Sequence, residues 1–131
     1  MSFLRLYSPE LSPEQKRLIA RSLTDGVIRS LHLPVQARTA ITIHFLPFRL
    51  DDVAVGGELL SDCGPAKYLL EISDRGLTRE KKDALNRDLT PLLARLLELD
   101  MDQWGKIYLV FRNFEPHDMA VGGRFFDEIG H

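Results

Sequence analysis

The residue best suited to chemistry is a serine at the second position of the chain. Ser2 is small, so we expect the initiator methionine to be removed, leaving a serine with a free primary α-amine. An α-amine has a reference pKa of about 7.7–8.0, so a modest fraction is unprotonated at neutral pH and can act as a general base. The alternative is that Ser2 only begins a strand.

Three arginines are the candidates for holding a substrate. Arg75 precedes Gly76 in a loop after a strand, and a guanidinium binds a carboxylate through two parallel hydrogen bonds. We therefore predict that Arg75 anchors a small carboxylate ligand; the alternative is a solvated loop arginine paired with Asp74. Arg38 and Arg112 are further candidates, and each either lines the same pocket or forms ion pairs between subunits.

Other reactive residue types show no recognisable pattern. A lone cysteine excludes an intramolecular disulfide, and the histidine spacing matches no metal site. The two Gly-Gly turns lack the patterns of phosphate-binding loops. We predict neither a metal nor a cofactor. The residues concerned are Cys63, His32, His44, His117 and His131.

The elements that must position these residues occur twice. The segment DDVAVGG, which ends at Gly57, returns as HDMAVGG, which ends at Gly123, 66 positions later. Pairing residues 3–57 with 69–123 gives 18 identities in 55 positions without a gap. Such a match indicates a duplicated structural unit, in which each half serves as a control on the other.

Each half is predicted to run strand, helix, strand and Gly-Gly turn. In the first half the strands cover residues 2–7 and 40–46, and Ser12, Pro13 and Gln15 are typical of a capped helix start. In the second half the strands cover residues 68–73 and 106–112, and a helix begins at Thr78. Residues 58–66 are the expected linker. We predict one domain, residues 1–131, of two units spanning 2–57 and 67–123.

Two β-α-β units side by side give an α+β fold: a four-stranded mixed sheet with both helices on one face. The other face is too apolar to be left in water and too polar for a closed core, so we expect an oligomer to bury it. The residues expected on this bare face are Phe3, Arg5, Tyr7, Thr42, His44, Tyr108, Val110 and Arg112.

Bulk composition narrows the function classes. The net charge is −2, with no basic run, so no electrostatic footprint for nucleic acid exists. No apolar stretch reaches the roughly 18 residues of a membrane span, and no charged-then-apolar leader precedes the first strand. We expect a cytoplasmic protein without nucleic-acid or membrane partners.

The doubled unit, with SPEQK opening the first helix and VGGEL closing the first half, resembles the tautomerase superfamily. One half is similar to 4-oxalocrotonate tautomerase, and the double-length chain to cis-3-chloroacrylic acid dehalogenase. The resemblance implies a tautomerase/MIF-like fold, a homotrimer whose inner face is the bare face, and chemistry on α-keto or enol acids. In that family an amino-terminal proline is the base or nucleophile, and arginines hold the substrate carboxylate.

Several family positions are changed here. The proline position is Ser2, and of two arginines after the third strand one matches Arg75 while the other falls at Leu77. A first-half loop arginine is replaced by Leu11 or a deletion beside it, and Arg38 stands one residue from a second arginine's position. Three further polar site positions of the dehalogenase pattern hold valine: Val27, Val110 and Val121.

Two functions follow. In the first, the protein is a cofactor-free isomerase, or a related lyase or hydratase, with Ser2 as the amine base and Arg75 as the carboxylate anchor. In the second, it is a catalytically silent trimer that binds a ligand or has a structural role, which the apolar replacements favour.

Overall fold

A computed structural model describes residues 1–64 and 67–129 of the chain. The first half contains two long strands, one long helix and a small hairpin followed by a helical turn. These elements are β1 (Ser2–Ser8), α1 (Pro13–Ser30), β2 (Ile41–Pro47), β3 (Ala54–Val55), β4 (Glu58–Leu59) and α2 (Leu60–Cys63).

The second half repeats every element 66 positions later. Its elements are β5 (Tyr68–Asp74), α3 (Arg79–Leu96), β6 (Ile107–Asn113), β7 (Ala120–Val121), β8 (Arg124–Phe125) and α4 (Phe126–Ile129). A 3-10 helix precedes each second strand, at Val35–Ala40 and Met101–Lys106. The halves therefore share their structure as well as their sequence.

Local signals explain where the long helices begin. Ser12 accepts a hydrogen bond from the backbone N–H of Gln15, whose side chain accepts one from the backbone of Ser12. This reciprocal capping box satisfies two amide groups that a helix start leaves without partners. Thr78 caps α3 through its hydroxyl alone, which accepts a hydrogen bond from the backbone N–H of Lys81. The predicted capping of α1 and the predicted start of α3 agree with the structure.

The four long strands form one mixed sheet in the order β2-β1-β5-β6. Strands β1 and β2 are parallel, as are β5 and β6, while β1 and β5 run antiparallel in the centre. Both long helices pack on one face, where alternate strand residues such as Leu4, Leu6, Leu70 and Ile72 are buried. The predicted α+β sheet with helices on one face is confirmed.

The opposite face of the sheet carries the predicted mixture of apolar and charged residues. Glu71 lies at its centre, where its carboxylate is 3.4 Å from Arg112 and 3.9 Å from Arg5. Tyr108 is 45% exposed although it is aromatic. The bare face thus combines exposed apolar side chains with a central cluster of charged ones.

The segment predicted to be a linker, residues 58–66, contains regular secondary structure in its described part. Residues 58–63 form β4 and α2, and Gly56 and Gly57 provide the hairpin turn between β3 and β4 with φ of 62° and 86°. Two successive residues with positive φ make the turn type that matches the twist of a hairpin. The repeated unit therefore continues past the Gly-Gly turn. Pro65 and Ala66, at the end of the expected linker, lie outside the described residues.

The helices approach each other closely at one glycine. Gly26 is buried in α1, and a Cβ atom built there would lie 2.7 Å from Leu89 Cδ2 and 3.2 Å from Leu92 Cδ2. The absent side chain lets α1 and α3 pack side by side. This contact compensates for the poor helix propensity of glycine.

Candidate functional site

The antiparallel pairing of β1 with β5 brings the start of the chain to the end of the third long strand. Phe3 is paired with Ser73, so Ser2 at the start of β1 and Asp74 at the end of β5 lie opposite each other at one end of the central strand pair. Arg75 follows immediately, and its backbone N–H donates a 2.7 Å hydrogen bond to Asp74 Oδ1. The strand register therefore unites Ser2 and Arg75, which are far apart in sequence.

These residues line a pocket of about 180 Å³. Its walls are mostly apolar, and its polar lining comes from the ends of β1 and β5, the loop after β5 and the first turn of α3. The apolar lining comprises Leu31, Leu33, Ala37, Ala40, Ile41 and Leu77. The polar residues are Ser2, Asp74, Arg75 and Lys81, with Met1 beside them. The pocket is smaller than a typical drug-sized site of about 300–1,000 Å³, so it suits a small ligand.

Ser2 and Asp74 form a buried pair. Ser2 is 2% exposed and its hydroxyl donates a hydrogen bond to Asp74 Oδ2, while Asp74 is 9% exposed. The amino group of Met1, present in the structure, lies 3.7 Å from Asp74 Oδ1. One carboxylate thus contacts the hydroxyl of Ser2 and a terminal ammonium together.

The loop that carries Arg75 is held by a side chain from another strand. Asn113 Oδ1 accepts a 2.7 Å hydrogen bond from the backbone N–H of Leu77, and Asn113 Nδ2 donates a 3.1 Å bond to the Leu77 carbonyl. Gly76 has a φ of 64°, which glycine adopts without strain. The guanidinium carbon of Arg75 lies 5.4 Å from the ring centroid of Phe126, within the range of a cation–π contact.

The pocket combines positive charge with an apolar wall. Arg75 is half-buried and Lys81 is exposed, and both side chains border the same space. Their two positive charges exceed the single negative charge of Asp74 in the same lining, so the opening favours an anion, and a guanidinium binds carboxylate oxygens in pairs. The arrangement can therefore hold a small carboxylate with an apolar remainder.

The other two predicted arginines lie elsewhere in the single chain. Arg38 forms an ion pair with Asp25 of α1, and Arg112 pairs with Glu71 on the bare face. Neither borders the pocket beside Ser2. Their role in substrate binding remains a prediction.

The four apolar residues that stand at polar site positions of the family lie in different parts of the structure. Leu77 lines the pocket, whereas Val27 is completely buried on the face of α1 that packs against the core. Val110 points to the bare face and Val121 belongs to the second hairpin. Of these four replacements, only Leu77 therefore changes the lining of this pocket.

Sequence reasoning missed Asp74 as a pocket residue, and it missed Lys81 and Asn113. A usable signal was the comparison of the halves. At the positions 66 residues earlier, the first half has Ser8, Gln15 and Pro47. At two of these positions the second half has a charged side chain where the first has an uncharged one, and at the third it has an amide where the first has proline, which is the pattern expected of a site that occurs at one end of the sheet only.

Within residues 1–64 and 67–129, no group of three or more potential ligand side chains could hold a metal ion. His131 lies outside those residues. None of the helices in the described part is long and apolar enough to cross a membrane.

Comparison with solved structures identifies the fold. The chain is similar to a native fused 4-OT, with a TM-score of 0.84 and 17% identity over 98% of this chain and 99% of that one. It is similar to Q0, a fused 4-OT solved as a symmetric trimer, with a TM-score of 0.79 and 24% identity over 98% and 99% of the two chains.

A third structure is N1, a member of the cis-3-chloroacrylic acid dehalogenase family. Its TM-score is 0.75, with 17% identity over 98% of this chain and 85% of that one. No family model matches the sequence, and no curated protein does. The protein has the fold of the tautomerase superfamily, as the resemblance implied.

Proposed function

We propose that the protein is a cofactor-free isomerase of the tautomerase superfamily that acts on small α-keto or enol acids. The observation that carries this proposal is the meeting of Ser2, Arg75 and Lys81 in one small, largely apolar pocket. It supports a site in which Arg75 holds the substrate carboxylate and the α-amine of Ser2, once Met1 is removed, moves the proton.

The proposed reaction balances without an added group. The neutral amine accepts the proton of the enol hydroxyl, and the electron pair released from that bond forms the carbonyl. The former double-bond pair then takes the proton back from the ammonium at carbon, which yields the keto acid and restores the amine. Because the cations of Arg75 and Lys81 stabilise negative charge on the substrate oxygens, they lower the barrier where that charge develops.

A homotrimer is part of the proposal. The bare face exposes Tyr108 and carries charged Glu71 at its centre, a combination that calls for a partner surface. Q0, the fused 4-OT with the same fold, is a trimer. Native mass spectrometry is expected to show three copies of the 14.9 kDa chain.

The first test is an intact mass measurement followed by a rate. Protein that begins at Ser2 is expected to accelerate the ketonisation of a phenylenolpyruvate-type substrate, followed by ultraviolet absorbance. Arg75→Ala removes a charge-assisted contact worth about 1.5–3 kcal/mol, so we expect kcat/KM to fall by roughly 10–100-fold.

The matched control is Arg79→Ala. Arg79 is also an arginine near the start of α3, but its side chain is 87% exposed and pairs with Asp83 outside the pocket. This variant is expected to keep the wild-type rate. A wild-type rate equal to that of buffer, or retention of Met1, would refute the proposed activity.

The alternative is a catalytically silent trimer with a binding or structural role. Leu77, which stands where one family arginine is expected and lines the pocket, favours it. In that case a small keto acid would either bind without turnover, seen by calorimetry, or not bind at all.

A further inference from the structure

An amino-terminal serine poses a mechanical problem that a proline does not. The ring of proline fixes the orientation of its nitrogen, whereas the primary amine of serine can rotate. Serine also carries a hydroxyl that competes for any hydrogen-bond partner of the amine. A serine amine that acts as a base therefore needs a second contact to hold the residue in one orientation.

The structure contains such a contact. The Ser2 hydroxyl donates to Asp74 Oδ2, and the pair is almost completely enclosed, with 2% and 9% of the residues exposed. The other carboxylate oxygen accepts the backbone N–H of Arg75 at 2.7 Å. Hydrogen bonds to an ionised acceptor are roughly twice as strong as neutral ones, so this carboxylate links the first strand firmly to the loop of Arg75.

The two halves show that this pair is not needed by the scaffold. The positions that correspond to Ser2 and Asp74 at the other end of the sheet are Tyr68 and Ser8. Tyr68 packs against the core there, and the Ser8 hydroxyl donates to the Pro9 carbonyl. The same strand pairing therefore forms without a hydroxyl–carboxylate bond.

We propose that Asp74 is a positioning residue that holds the amino-terminal serine by its hydroxyl and thereby fixes the amine relative to Arg75. The inference rests on the proposed function, since positioning has a purpose only if the amine acts. The hydrogen bond replaces the rigidity that a proline ring supplies at this position. Ser2 and Asp74 then work as one unit, and the loss of either member has the same effect.

The kinetic test is a double-mutant cycle on the ketonisation rate. Ser2→Ala keeps an amine but removes the hydroxyl, and Asp74→Asn keeps an oxygen for the N–H of Arg75 but removes the charge. We expect each change to lower kcat about tenfold with KM within twofold of wild type, because Arg75 still binds the carboxylate. The double variant is expected to be no slower than the single ones.

Proline at position 2 separates positioning from general structural damage. In a Ser2→Pro background the ring holds the nitrogen, so Asp74→Asn is expected to have less than a twofold effect. Additive losses in the cycle, or an equal effect of Asp74→Asn in the proline background, would overturn the proposal. Asp83→Asn, a change at an exposed aspartate on α3, is the charge-matched control.

A second measurement does not depend on activity. Periodate cleaves the bond between neighbouring carbons that bear an amine and a hydroxyl, and it is itself reduced to iodate. We expect folded wild-type protein that begins at Ser2 to react at least tenfold more slowly than the Asp74→Asn variant, followed by intact mass. Equal rates would refute the hold of Asp74 on Ser2. If Ser2 reacts slowly with periodate in wild-type protein that shows no ketonisation activity, the proposed function is refuted, while the contact between Ser2 and Asp74 is supported. A chain that retains Met1 would overturn both.

Discussion

Gly26→Ala tests how closely α1 and α3 pack, because its effect on the free energy of unfolding is expected to change sign when Leu89 is replaced by alanine. Alanine would gain about 1 kcal/mol of helix propensity over glycine. Its Cβ, however, would lie 2.7 Å from Leu89 Cδ2, well inside the 3.5–4.0 Å at which carbon atoms attract each other. Leu89 is fully buried and cannot move aside freely.

The two effects can be compared. Overpacking a well-packed core costs roughly 1–3 kcal/mol. With a central value of about 2 kcal/mol, Gly26→Ala is expected to lower the free energy of unfolding by about 1 kcal/mol. In a Leu89→Ala background the nearest obstructing atom is gone and the remaining neighbour, Leu92 Cδ2 at 3.2 Å, has room to shift, so the same change is expected to raise it by about 1 kcal/mol. The coupling between the two sites is then about 2 kcal/mol.

Urea unfolding followed by circular dichroism measures these differences. The protomer concentration must be held constant, because association shifts the apparent stability of an oligomer. Gly105→Ala is the control, since a Cβ at Gly105 would meet no atom within 4 Å. If Gly26→Ala stabilises the wild-type protein as much as the Leu89→Ala variant, the close approach of α1 and α3 is wrong.

Two further changes probe other contacts. Ser30 donates a 2.8 Å hydrogen bond to Asp88 between the helices, and this bond, with a smaller contribution from Arg87, lowers the pKa of the Asp88 carboxyl. A lowered pKa means that the ionised carboxyl stabilises the folded protein when the pH is above the unfolded pKa of about 3.9, and that this stabilisation is lost as the pH falls through the folded pKa. Ser30→Ala is therefore expected to lower the free energy of unfolding by about 1 kcal/mol at pH 7 and by less below pH 4, as measured by urea unfolding across that range. Asn113→Ala removes both hydrogen bonds to the Leu77 backbone, so we expect KM to rise severalfold with a small loss of stability; an unchanged KM would show that this clamp does not position the loop.

The fold was accessible from the sequence because its signals are local or repeated. The capping box at Ser12 and the alternation of β1 depend on neighbouring residues only. The duplication then supplied the second half of the architecture from the first. The hairpin continuation at residues 58–63 was missed because two-residue strands are too short to show a period.

The site was accessible only in part because it depends on strand register. Ser2 and Arg75 were identified by residue type and by resemblance to a family. Asp74 joins them only because Phe3 pairs with Ser73, and nothing local in the sequence specifies that antiparallel register. Arg38 forms an ion pair with Asp25 of α1 within the single chain, and its predicted role as a substrate or inter-subunit contact stays a prediction.

The pocket draws its two sides from different halves of the chain, which has a consequence for sequence freedom. If two separate, identical half-length chains were paired about a two-fold axis, each residue would appear at both ends of the sheet, and no end could change alone. In the joined chain, Arg75 at one end corresponds to Pro9 at the other, and Lys81 to Gln15. In the joined chain a substitution therefore changes one end of the sheet only, so each position has to fit a single structural environment.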